Sequence, residues 1–510
     1  MTTRPSIYEH LRGRLDEVGR LEDPSLVLPD ERAATDDEVR WAPGAMDGVL
    51  GHHAGAGDGD QQAQVVVTAL LKACRRPTRS RLRAVHAAVT ADNALSYLDA
   101  AIERLADARP DPAALHEVGR WLATTAADRS AVKVGIALLG ITGLGQDVDV
   151  VRVLGAHDEF TLYAAVAMTN GLEHPDSELW ALAAAVDGWG RIHCVERLRG
   201  TTDPAIRSWV LRTGFRNSVM YEYLAYIAAT TGGLLEALSV PEPDRDLLTA
   251  AGEIMEALVM GGPAEDMHDY ADGADAVAAY LGHLSRRAET LVDFHAVVAI
   301  RDFLASDADW DDLGARGWTA SRREAFEQRC AEILGRQHWR ERVILALASD
   351  RPGEFWRADQ AARALGIDTY RTHLERVRAD PLGSDWFAAW QQADPTRAVE
   401  LAALARDLLP LGEIATGPGT ALGLGPEWRA HSALDWSLQA LGDHPGVGAE
   451  LITTGLRSPV VRNRNMALTA LGKWPRDTWP EDARRLVADL ARTDPQPRTR
   501  ELAAELVTSE

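Results

Sequence analysis

Apolar residues recur every three or four positions in the clearest stretches of this chain. This spacing is typical of amphipathic α-helices, whereas the two-residue alternation of β-strands is nearly absent. The residues that dominate the sequence, such as Ala, Leu, Arg and Glu, also favour helix. The sequence therefore predicts an all-α fold with little or no β-sheet.

Aspartate followed by proline marks the expected helix starts. Aspartate can cap the free backbone N–H groups of a first turn, and proline tolerates the first helical position because an N–H is not needed there. The dipeptide occurs at Asp23-Pro24, Asp111-Pro112, Asp203-Pro204, Asp380-Pro381, Asp394-Pro395 and Asp494-Pro495. We expect several of these pairs to begin helices.

Alternating helices follow one another between Pro112 and Leu235 at intervals of about 30 residues, within the range of two-helix repeats. The first helices of the pairs are predicted near 112–125, 146–155, 176–186 and 203–212. The second helices are predicted near 130–142, 159–171, 189–199 and 216–230. Because the second helices are the more apolar, we expect them to form an inner layer, each packed on its neighbours.

The length of 510 residues exceeds the roughly 250–300 residues over which one core usually grows, so the chain must divide or spread its core along an axis. Glycine and proline between Leu411 and Gly425 are typical of a linker. The predicted segments are an N-terminal helical region (1–110), helical repeats (111–240), a less regular helical middle (241–410), the linker (411–425) and C-terminal repeats (426–510).

A family resemblance rests on the C-terminal repeats. Val461-Arg462, followed by Ala467-Leu468 and Ala470-Leu471, resembles the second helix of a HEAT repeat, in which small residues allow close helix contact. Residues 128–139 form a weaker copy. The resemblance implies a right-handed α-solenoid of HEAT-like or armadillo-like helix pairs, and it implies no particular activity.

The charge of the chain disfavours nucleic acid as a partner. Asp and Glu number 76 against 54 Lys and Arg, which gives a formal net charge of −22. Such a surface repels a phosphate backbone unless a basic stripe opposes it. An acidic protein of this kind is expected to favour a basic protein or peptide.

Cysteine usage and hydropathy indicate a cytoplasmic protein. The three cysteines are far apart in the sequence and form no CxxC motif, so neither a disulfide framework nor a zinc ribbon is indicated. The opening residues are charged and lack the apolar core of a secretory signal. The most apolar stretch, 131–141, contains Lys133 and is shorter than the about 20 residues that a membrane span needs.

The densest group of candidate functional residues lies between Asp187 and Gly232. Two neighbouring helices carry these side chains at near-helical spacing, and on one concave surface they could transfer protons and bind an anion or an amide. The candidates are Trp189, His193, Glu196, Arg197, Arg216, Asn217 and Tyr223. The alternative is that the aromatic residues belong to the core and the charged ones form ion pairs between repeats.

No metal site or cofactor is predicted. His193 and Glu196 could supply two metal ligands, but the sequence offers no evident third. The acidic string 307–312 lacks the central glycine of a calcium loop and is expected to be a solvated, helix-capping turn. Another group around adjacent histidines favours a polar loop over a metal site: Asp47, His52, His53, Asp58 and Asp60.

Two further features could serve recognition. Residues 72–83 carry six basic side chains without an acid, which indicates either an anion-binding strip or an exposed turn between helices. The chain also has 15 tryptophans. We expect Trp180, Trp209 and Trp390 in the core, and we consider groove positions for Trp41, Trp356, Trp386, Trp428 and Trp436.

The expected function is that of a cytoplasmic scaffold which binds a protein or peptide on a concave surface. The alternative is an enzyme on the same kind of scaffold. HEAT-like DNA glycosylases hold a nucleotide with Trp, Arg and an acidic residue, and this chain offers Trp189, Glu196, Arg197 and Arg216. Small-molecule acid–base chemistry by His193 or Glu196 is equally open. No phosphate-binding loop, nucleophile elbow or dinucleotide fingerprint supports other enzyme classes.

Overall fold

Helices dominate the structure, a computed structural model that describes residues 4–31, 41–53 and 59–508. In these ranges the chain is all-α: two isolated β-bridges occur, and no β-strand is present. The prediction of an all-α fold is confirmed. Among the described helices, none combines the length and the apolar composition that crossing a bilayer requires.

The chain divides into two compact units, each described here by itself. The first unit comprises the described residues up to Trp339 and the second comprises residues 340–508. The division falls inside the segment 241–410 that the sequence predicts as a less regular helical middle.

The first unit contains helices α1 to α19. They are α1 (Ile7–Arg12), α2 (Ala45–His53), α3 (Asp60–Arg75), α4 (Arg79–Val89), α5 (Leu98–Ala108), α6 (Pro112–Thr125), α7 (Arg129–Thr142), α8 (Val148–Gly155), α9 (Asp158–Gly171), α10 (Asp176–Ala185), α11 (Gly188–Arg197), α12 (Pro204–Trp209), α13 (Glu222–Thr230), α14 (Leu234–Leu238), α15 (Arg245–Met260), α16 (Gly273–Arg287), α17 (Leu291–Leu304), α18 (Trp310–Ala315) and α19 (Ala320–Leu334).

The second unit contains most of α20 and the helices that follow it. They are α20 (His338–Leu347), α21 (Pro352–Ala364), α22 (Tyr370–Ala379), α23 (Asp385–Gln391), α24 (Pro395–Leu408), α25 (Leu411–Ile414), α26 (Arg429–Leu441), α27 (Ala449–Leu456), α28 (Val461–Lys473), α29 (Ala483–Thr493) and α30 (Pro497–Thr508).

Three of the Asp-Pro pairs begin helices, as predicted. Proline is the first residue of α6, α12 and α24. The carboxylates of Asp203 and Asp394 each accept two backbone N–H groups of the first turn. These bonds satisfy donors that have no partner within the helix, so the aspartate fixes where the helix starts.

The second helices of the first unit pack in succession: α7 contacts α9, α9 contacts α11, and the series continues through α13, α15, α17 and α19. This is the packing predicted for the second helices between Pro112 and Leu235. Helix α7 also packs closely on α6, because Gly119 and Gly135 remove the side chains at the crossing. A Cβ on Gly135 would lie 2.5 Å from the backbone nitrogen of Ala123.

One predicted helix starts later than expected. Residues 216–221 precede α13 instead of forming its first turns, and a π-helical turn, Val210–Gly214, continues α12. The Asn217 carboxamide explains the break: its oxygen accepts the N–H groups of Val219 and Met220, and its nitrogen donates to the carbonyls of Phe215 and Met220. Asparagine stabilises such turns by competing with the helix for backbone groups.

The core of the second unit contains α28, the helix on which the HEAT resemblance rests. Its residues Ala467, Leu468, Ala470 and Leu471 are buried, and the helix packs on α26 and α30. Arg464 and Asp494 form a fully buried ion pair of 2.7 Å, and the guanidinium also donates to backbone carbonyls, including that of Gly419. Because both charged groups have partners, the pair stabilises the packing of α28 against the residues just before α30.

One tryptophan lies in a different environment from the one that the sequence suggested. Trp386, considered for a groove, is fully buried, and its indole N–H donates to the Pro381 carbonyl at 2.8 Å. Trp390 is buried as predicted, and the half-buried Trp180 and Trp209 contact each other. Trp41 and Trp356 are exposed.

Candidate functional site

A cavity of about 500 Å³ lies in the first unit, between the segment around Arg20, the start of α9, the turn between α10 and α11, and residues 216–221. Arginine, aspartate and asparagine supply most of its polar lining. Its apolar walls come from Leu21, Pro24, Ala156, Ala185, Val186 and Tyr221. Small-ligand sites typically have volumes of roughly 300–1,000 Å³ and combine apolar walls with a few polar groups, so this cavity is the candidate site.

Arg191 projects from α11 and is fixed by backbone carbonyls. Its Nε donates to the carbonyls of Ala183 (3.1 Å) and Val186 (3.0 Å), and its Nη1 donates to that of Arg216 (2.8 Å). Burial lowers the pKa of this guanidinium, and the nearby Asp187 carboxylate opposes that effect. Arg20 is attached to the same turn, since its Nη2 donates to the Ala184 carbonyl at 2.9 Å.

Asp187 precedes α11 and connects this helix to the turn before α13. Its Oδ1 accepts the backbone N–H of Ser218 at 3.1 Å. Its position at the amino end of α11 also places the carboxylate near the positive pole of the helix. The aspartate is therefore held by two elements of the cavity wall.

Asp158 is the first residue of α9, and its carboxyl is half-buried at the cavity. Its Oδ1 lies over Gly190, where an added Cβ would come within 2.7 Å. Burial raises the pKa of Asp158 to about 7, the Asp187 carboxylate adds to this effect, and Arg191 opposes it. The carboxyl can therefore gain or lose a proton near neutral pH.

The arginines and aspartates of the cavity attract one another, but they do not form ion pairs with one another in the described chain. Among the described residues, no ion pair joins Asp158 or Asp187 to Arg20, Arg191 or Arg216. Arg216 instead pairs with Glu253 at 2.7 Å. The cavity thus presents two arginines and two aspartates that are held apart by the fold.

Two of the seven candidates from the sequence, Arg216 and Asn217, line this cavity. Asn217 shapes the wall through its own turn, and Arg216 stacks on the Phe215 ring, 5.0 Å from its centroid. The structure brings both residues to the site together with Arg191, whose guanidinium binds the Arg216 carbonyl.

The other five candidates lie on a different face of α11 and on the helix packed against it. Trp189 and His193 stack with ring centroids 6.2 Å apart, and Tyr223 contacts Trp189 at 5.0 Å. Glu196 lies 3.8 Å from His193 Nδ1, and Arg197 donates to the His193 carbonyl at 2.7 Å. All three rings are buried, which agrees with the alternative that they form core.

Four charged residues of the cavity were not selected from the sequence: Arg20, Asp158, Asp187 and Arg191. Helical geometry explains the omission of Asp187 and Arg191. Successive residues are rotated by about 100°, so positions 187 and 191 lie on one face of the helix and positions 189 and 193 lie on another. The sequence did contain a signal: Asp158 is the first residue of α9 and Asp187 immediately precedes α11. Both aspartates therefore lie at the amino ends of helices that pack on each other.

A second charged cluster in the first unit surrounds Lys133. This lysine is buried, and its Nζ contacts Asp47 Oδ2 at 2.6 Å and Glu159 Oε1 at 2.7 Å. The ammonium also lies 5.2 Å from the centre of the Tyr163 ring. Lys133 is the charged residue within the most apolar stretch of the sequence, 131–141. Its ion pairs join α7 to α2 and α9, which accounts for a lysine at this position.

This pairing gives Asp47 a structural partner. Asp60, another member of the histidine-containing group, is exposed and pairs with Arg104 at 3.0 Å. Asp58 and the side chains of His52 and His53 lie outside the described residues. Elsewhere, no three His, Cys, Asp or Glu side chains of the described chain converge as a metal site would require.

The acidic string and the basic strip are both local turns. Asp309 accepts the N–H groups of Asp311 and Asp312 and caps α18, as predicted.

Within the basic strip, residues 72–83, the Arg81 guanidinium donates to the carbonyls of Lys72 and Arg76. The strip thus lies between α3 and α4, with Arg75, Arg76 and Arg79 exposed.

In the second unit, His373 bridges two carboxylates. Its Nε2 lies 2.8 Å from Asp359 Oδ1 and its Nδ1 lies 2.9 Å from Asp385 Oδ1. Burial of the ring opposes its positive charge, but the hydrogen bonds to Asp359 and Asp385 outweigh burial and raise the pKa of His373. The three side chains connect α21, α22 and α23.

The cavity around Asp158 is the arrangement best suited to a ligand. Its arginines can bind an anionic group, its aspartates can bind a cationic one, and Asp158 can exchange a proton near neutral pH. No known protein family and no curated protein matches this sequence.

Proposed function

We propose that this chain is a binding protein whose packed helix pairs recognise a protein or peptide partner, with the cavity of the first unit receiving a polar group of that partner. The observation that carries the proposal is the presence of fixed, opposite charges around one cavity. Arg191 is held by three carbonyls and Asp187 by the Ser218 N–H, yet neither is paired with the other in the described chain.

The charged groups of the cavity are preorganised for a ligand. Separating opposite charges around a cavity is unfavourable unless other bonds hold them in place, and such groups gain most when a ligand supplies the missing partners. A ligand that binds here does not need to reorganise the site first.

The finer features expected from the sequence belong to the same proposal. The successive packing of α7, α9, α11 and α13, and of α26, α28 and α30, supports HEAT-like or armadillo-like repeats arranged as a right-handed solenoid. The three free cysteines are consistent with a reducing cytoplasm. A net charge of −22 favours a basic partner, with association that slows as salt rises.

Affinity capture from a cell lysate, with matched variants, tests this function. The wild-type chain is compared with Asp187→Asn, which alters the cavity, and with Asp275→Asn, which removes an exposed aspartate paired with Arg322 elsewhere in the unit. We expect a protein partner that the wild type and Asp275→Asn capture and that Asp187→Asn loses. Identical capture by all three chains would contradict the role of the cavity.

A second candidate function is acid–base catalysis on a small molecule, which the pKa of Asp158 favours. A carboxyl with a pKa of about 7 is suited to donate and accept protons at neutral pH. Asp158→Asn should then abolish turnover of a bound compound while it retains binding, as measured by consumption of that compound. Binding without turnover by the wild type would argue for the first function.

The glycosylase-like alternative receives less support. Trp189 is only 8% exposed, and Gly48 of α2 lies directly over its indole, where a Cβ would come within 2.3 Å. A ring covered in this way has no open face on which to stack a nucleobase.

A further inference from the structure

We infer that the ligand group bound in this cavity is zwitterionic, with a carboxylate that contacts Arg20 and Arg191 and an ammonium that contacts Asp158 and Asp187. The inference rests on the proposed function, because it assumes that this cavity is the binding site. It names the chemistry of the ligand: an ammonium and a carboxylate a short distance apart, as in an α-amino acid or a dipeptide.

The cavity carries balanced positive and negative charges. Arg216 is already neutralised by Glu253, so Arg20 and Arg191 remain as positive groups and Asp158 and Asp187 as negative groups. A simple anion would leave the aspartates without a partner, and a simple cation would leave the arginines without one. A ligand that carries both charges satisfies both sets and adds no net charge to the cavity.

The two arginines are placed to bind a carboxylate. The guanidinium of Arg191 is oriented by three carbonyls, which use its Nε and Nη1 and leave its Nη2 without a hydrogen bond in the described chain. Arg20 is bound to the same turn by one carbonyl. Burial is the largest cause that lowers the pKa of Arg191, and the positive charge of the nearby Arg20 lowers it further, while Asp187 raises it. Two neighbouring guanidiniums without carboxylate partners are suited to bind a carboxylate.

The two aspartates are placed to bind an ammonium. Within the described ranges the Asp158 carboxyl accepts no hydrogen bond, and Asp187 accepts only the Ser218 N–H. A half-buried carboxyl without a donor is costly to ionise, which is why its proton is retained up to neutral pH. An ammonium placed between the two carboxyls supplies the missing donors and favours their ionised forms.

The size and walls of the cavity agree with a small ligand. Its volume of about 500 Å³ suits a molecule of the dimensions of an amino acid or a dipeptide. Leu21, Pro24 and Val186 offer an apolar surface beside the charged groups, which an aliphatic or aromatic side chain could contact.

The experiment is a calorimetric titration of the full chain with a panel of free L-amino acids and dipeptides. Each compound that binds is then tested as its N-acetyl form, which lacks the ammonium, and as its methyl ester, which lacks the carboxylate. We expect binding by the zwitterion and a loss of roughly tenfold or more for each modified form, since each loses charge-assisted hydrogen bonds. Equal binding by either modified form, or no binding by any zwitterion of the panel, would overturn the inference.

Variants connect that binding to the named residues. Asp187→Asn and Arg20→Gln should each weaken binding of the same compound about tenfold or more, whereas Arg199→Gln should not, because Arg199 is exposed and pairs with Glu265 outside the cavity. Arg20 is chosen because it is exposed and makes a single carbonyl bond, so its loss leaves the fold intact. Unchanged affinity in both cavity variants would place the compound elsewhere and contradict the inference.

The pH dependence provides an independent readout. The charged groups that face Asp158 are Asp187, just before α11, and Arg191 of α11, with Arg20 and Arg216 on the other walls. An ammonium favours ionised Asp158, so binding should release a proton and become stronger as pH rises towards and through neutrality. Asp158→Asn should remove this dependence.

These outcomes separate the inference from the proposed function. If no zwitterion binds but Asp187→Asn still loses a captured protein, the function stands and the ligand chemistry is wrong. If Asp187→Asn changes neither capture nor small-molecule binding, both are wrong.

Discussion

The carboxyl of Asp158 and the guanidinium of Arg191 line the same cavity of the first unit without forming an ion pair. Each is positioned by a different part of the fold: Asp158 begins α9, and Arg191 is bound by the carbonyls of Ala183, Val186 and Arg216. Burial raises the pKa of Asp158 to about 7 and the Asp187 carboxylate adds to this effect, whereas Arg191, which forms no ion pair with Asp158, opposes it only in part. The separation has consequences for stability that can be measured without a ligand.

Asp158→Asn is expected to stabilise the unliganded protein at alkaline pH. The folded pKa of about 7 exceeds the ordinary value of 3.8, so between these values the folded state binds a proton that the unfolded state has lost. Stability therefore falls as pH rises through this window and stays reduced above it. Denaturant titrations should show a gain for the variant of about 1–3 kcal/mol near pH 8, discounted for partial exposure, that disappears near pH 4.

The exposed Asp275 provides the control for that experiment. Asp275→Asn should show no comparable pH-dependent gain, because this aspartate lies at the surface and pairs with Arg322. A loss of stability in Asp158→Asn at alkaline pH would show that the carboxylate is stabilised in the folded protein, contrary to its position.

Gly135→Ala is expected to destabilise the first unit, whereas Gly282→Ala should stabilise it. A Cβ at Gly135 would meet the backbone of α6 at 2.5 Å, so α6 and α7 must separate, at a cost of about 1–3 kcal/mol. Gly282 lies within α16, and its nearest neighbour, Arg329 Nη1, is 3.9 Å away. Alanine there should add about 0.5–1 kcal/mol through its helix preference.

Thermal melts of the two variants and the wild type measure this contrast. Both changes add the same methyl group to a helix, so only the surroundings differ. Equal shifts of the two melting temperatures would mean that α6 and α7 do not pack as closely as the structure indicates.

The fold could be predicted from the sequence where helix starts and apolar periodicity agree. Helix α6 follows the predicted bounds, 112–125, because Asp111-Pro112 fixes its start and a helical pattern follows. The prediction was wrong where a single side chain controls the backbone: Asn217 closes a turn that delays α13 to Glu222. Apolar spacing continues through that turn and does not reveal it.

The candidate site could be predicted only in part, because its residues are distant in the sequence. The sequence places its densest group of candidate residues between Asp187 and Gly232, and two members of that group, Arg216 and Asn217, line the cavity. Asp158 comes from α9 and Arg20 from the N-terminal segment. Their convergence depends on how α9 packs on α11, which helical periodicity within one helix does not specify.

Lys133→Met is expected to cause a large loss of stability. Lys133 is 3% exposed, and its removal would leave the Asp47 carboxylate buried without its cation. Glu159 would keep its longer ion pair with Arg129, at 3.6 Å. Breaking a buried ion pair from one side typically costs about 3–5 kcal/mol. Denaturant titration should show this loss, and hydrogen exchange should show faster opening in peptides of α7 and α9.

Lys473→Met is the matched control, because Lys473 is half exposed and pairs with Asp443 at the surface at 3.0 Å. Such a pair contributes roughly 0–1 kcal/mol. Similar losses for the two lysine variants would show that Lys133 is not the buried centre of a network.

His373→Gln is expected to destabilise the second unit more at mildly acidic pH than at alkaline pH. The folded pKa of His373 is raised above its ordinary value of 6.5 by Asp359 and Asp385, so its charged form stabilises the fold. This contribution is complete below about pH 6.5 and is lost as pH rises through the folded pKa. Each unit by which the pKa is raised corresponds to about 1.4 kcal/mol.

Hydrogen exchange in peptides of α21 to α23, measured at several pH values and corrected for intrinsic exchange rates, tests the His373→Gln prediction. A stability difference from wild type that grows with pH would mean that the ring is neutral between the two carboxylates.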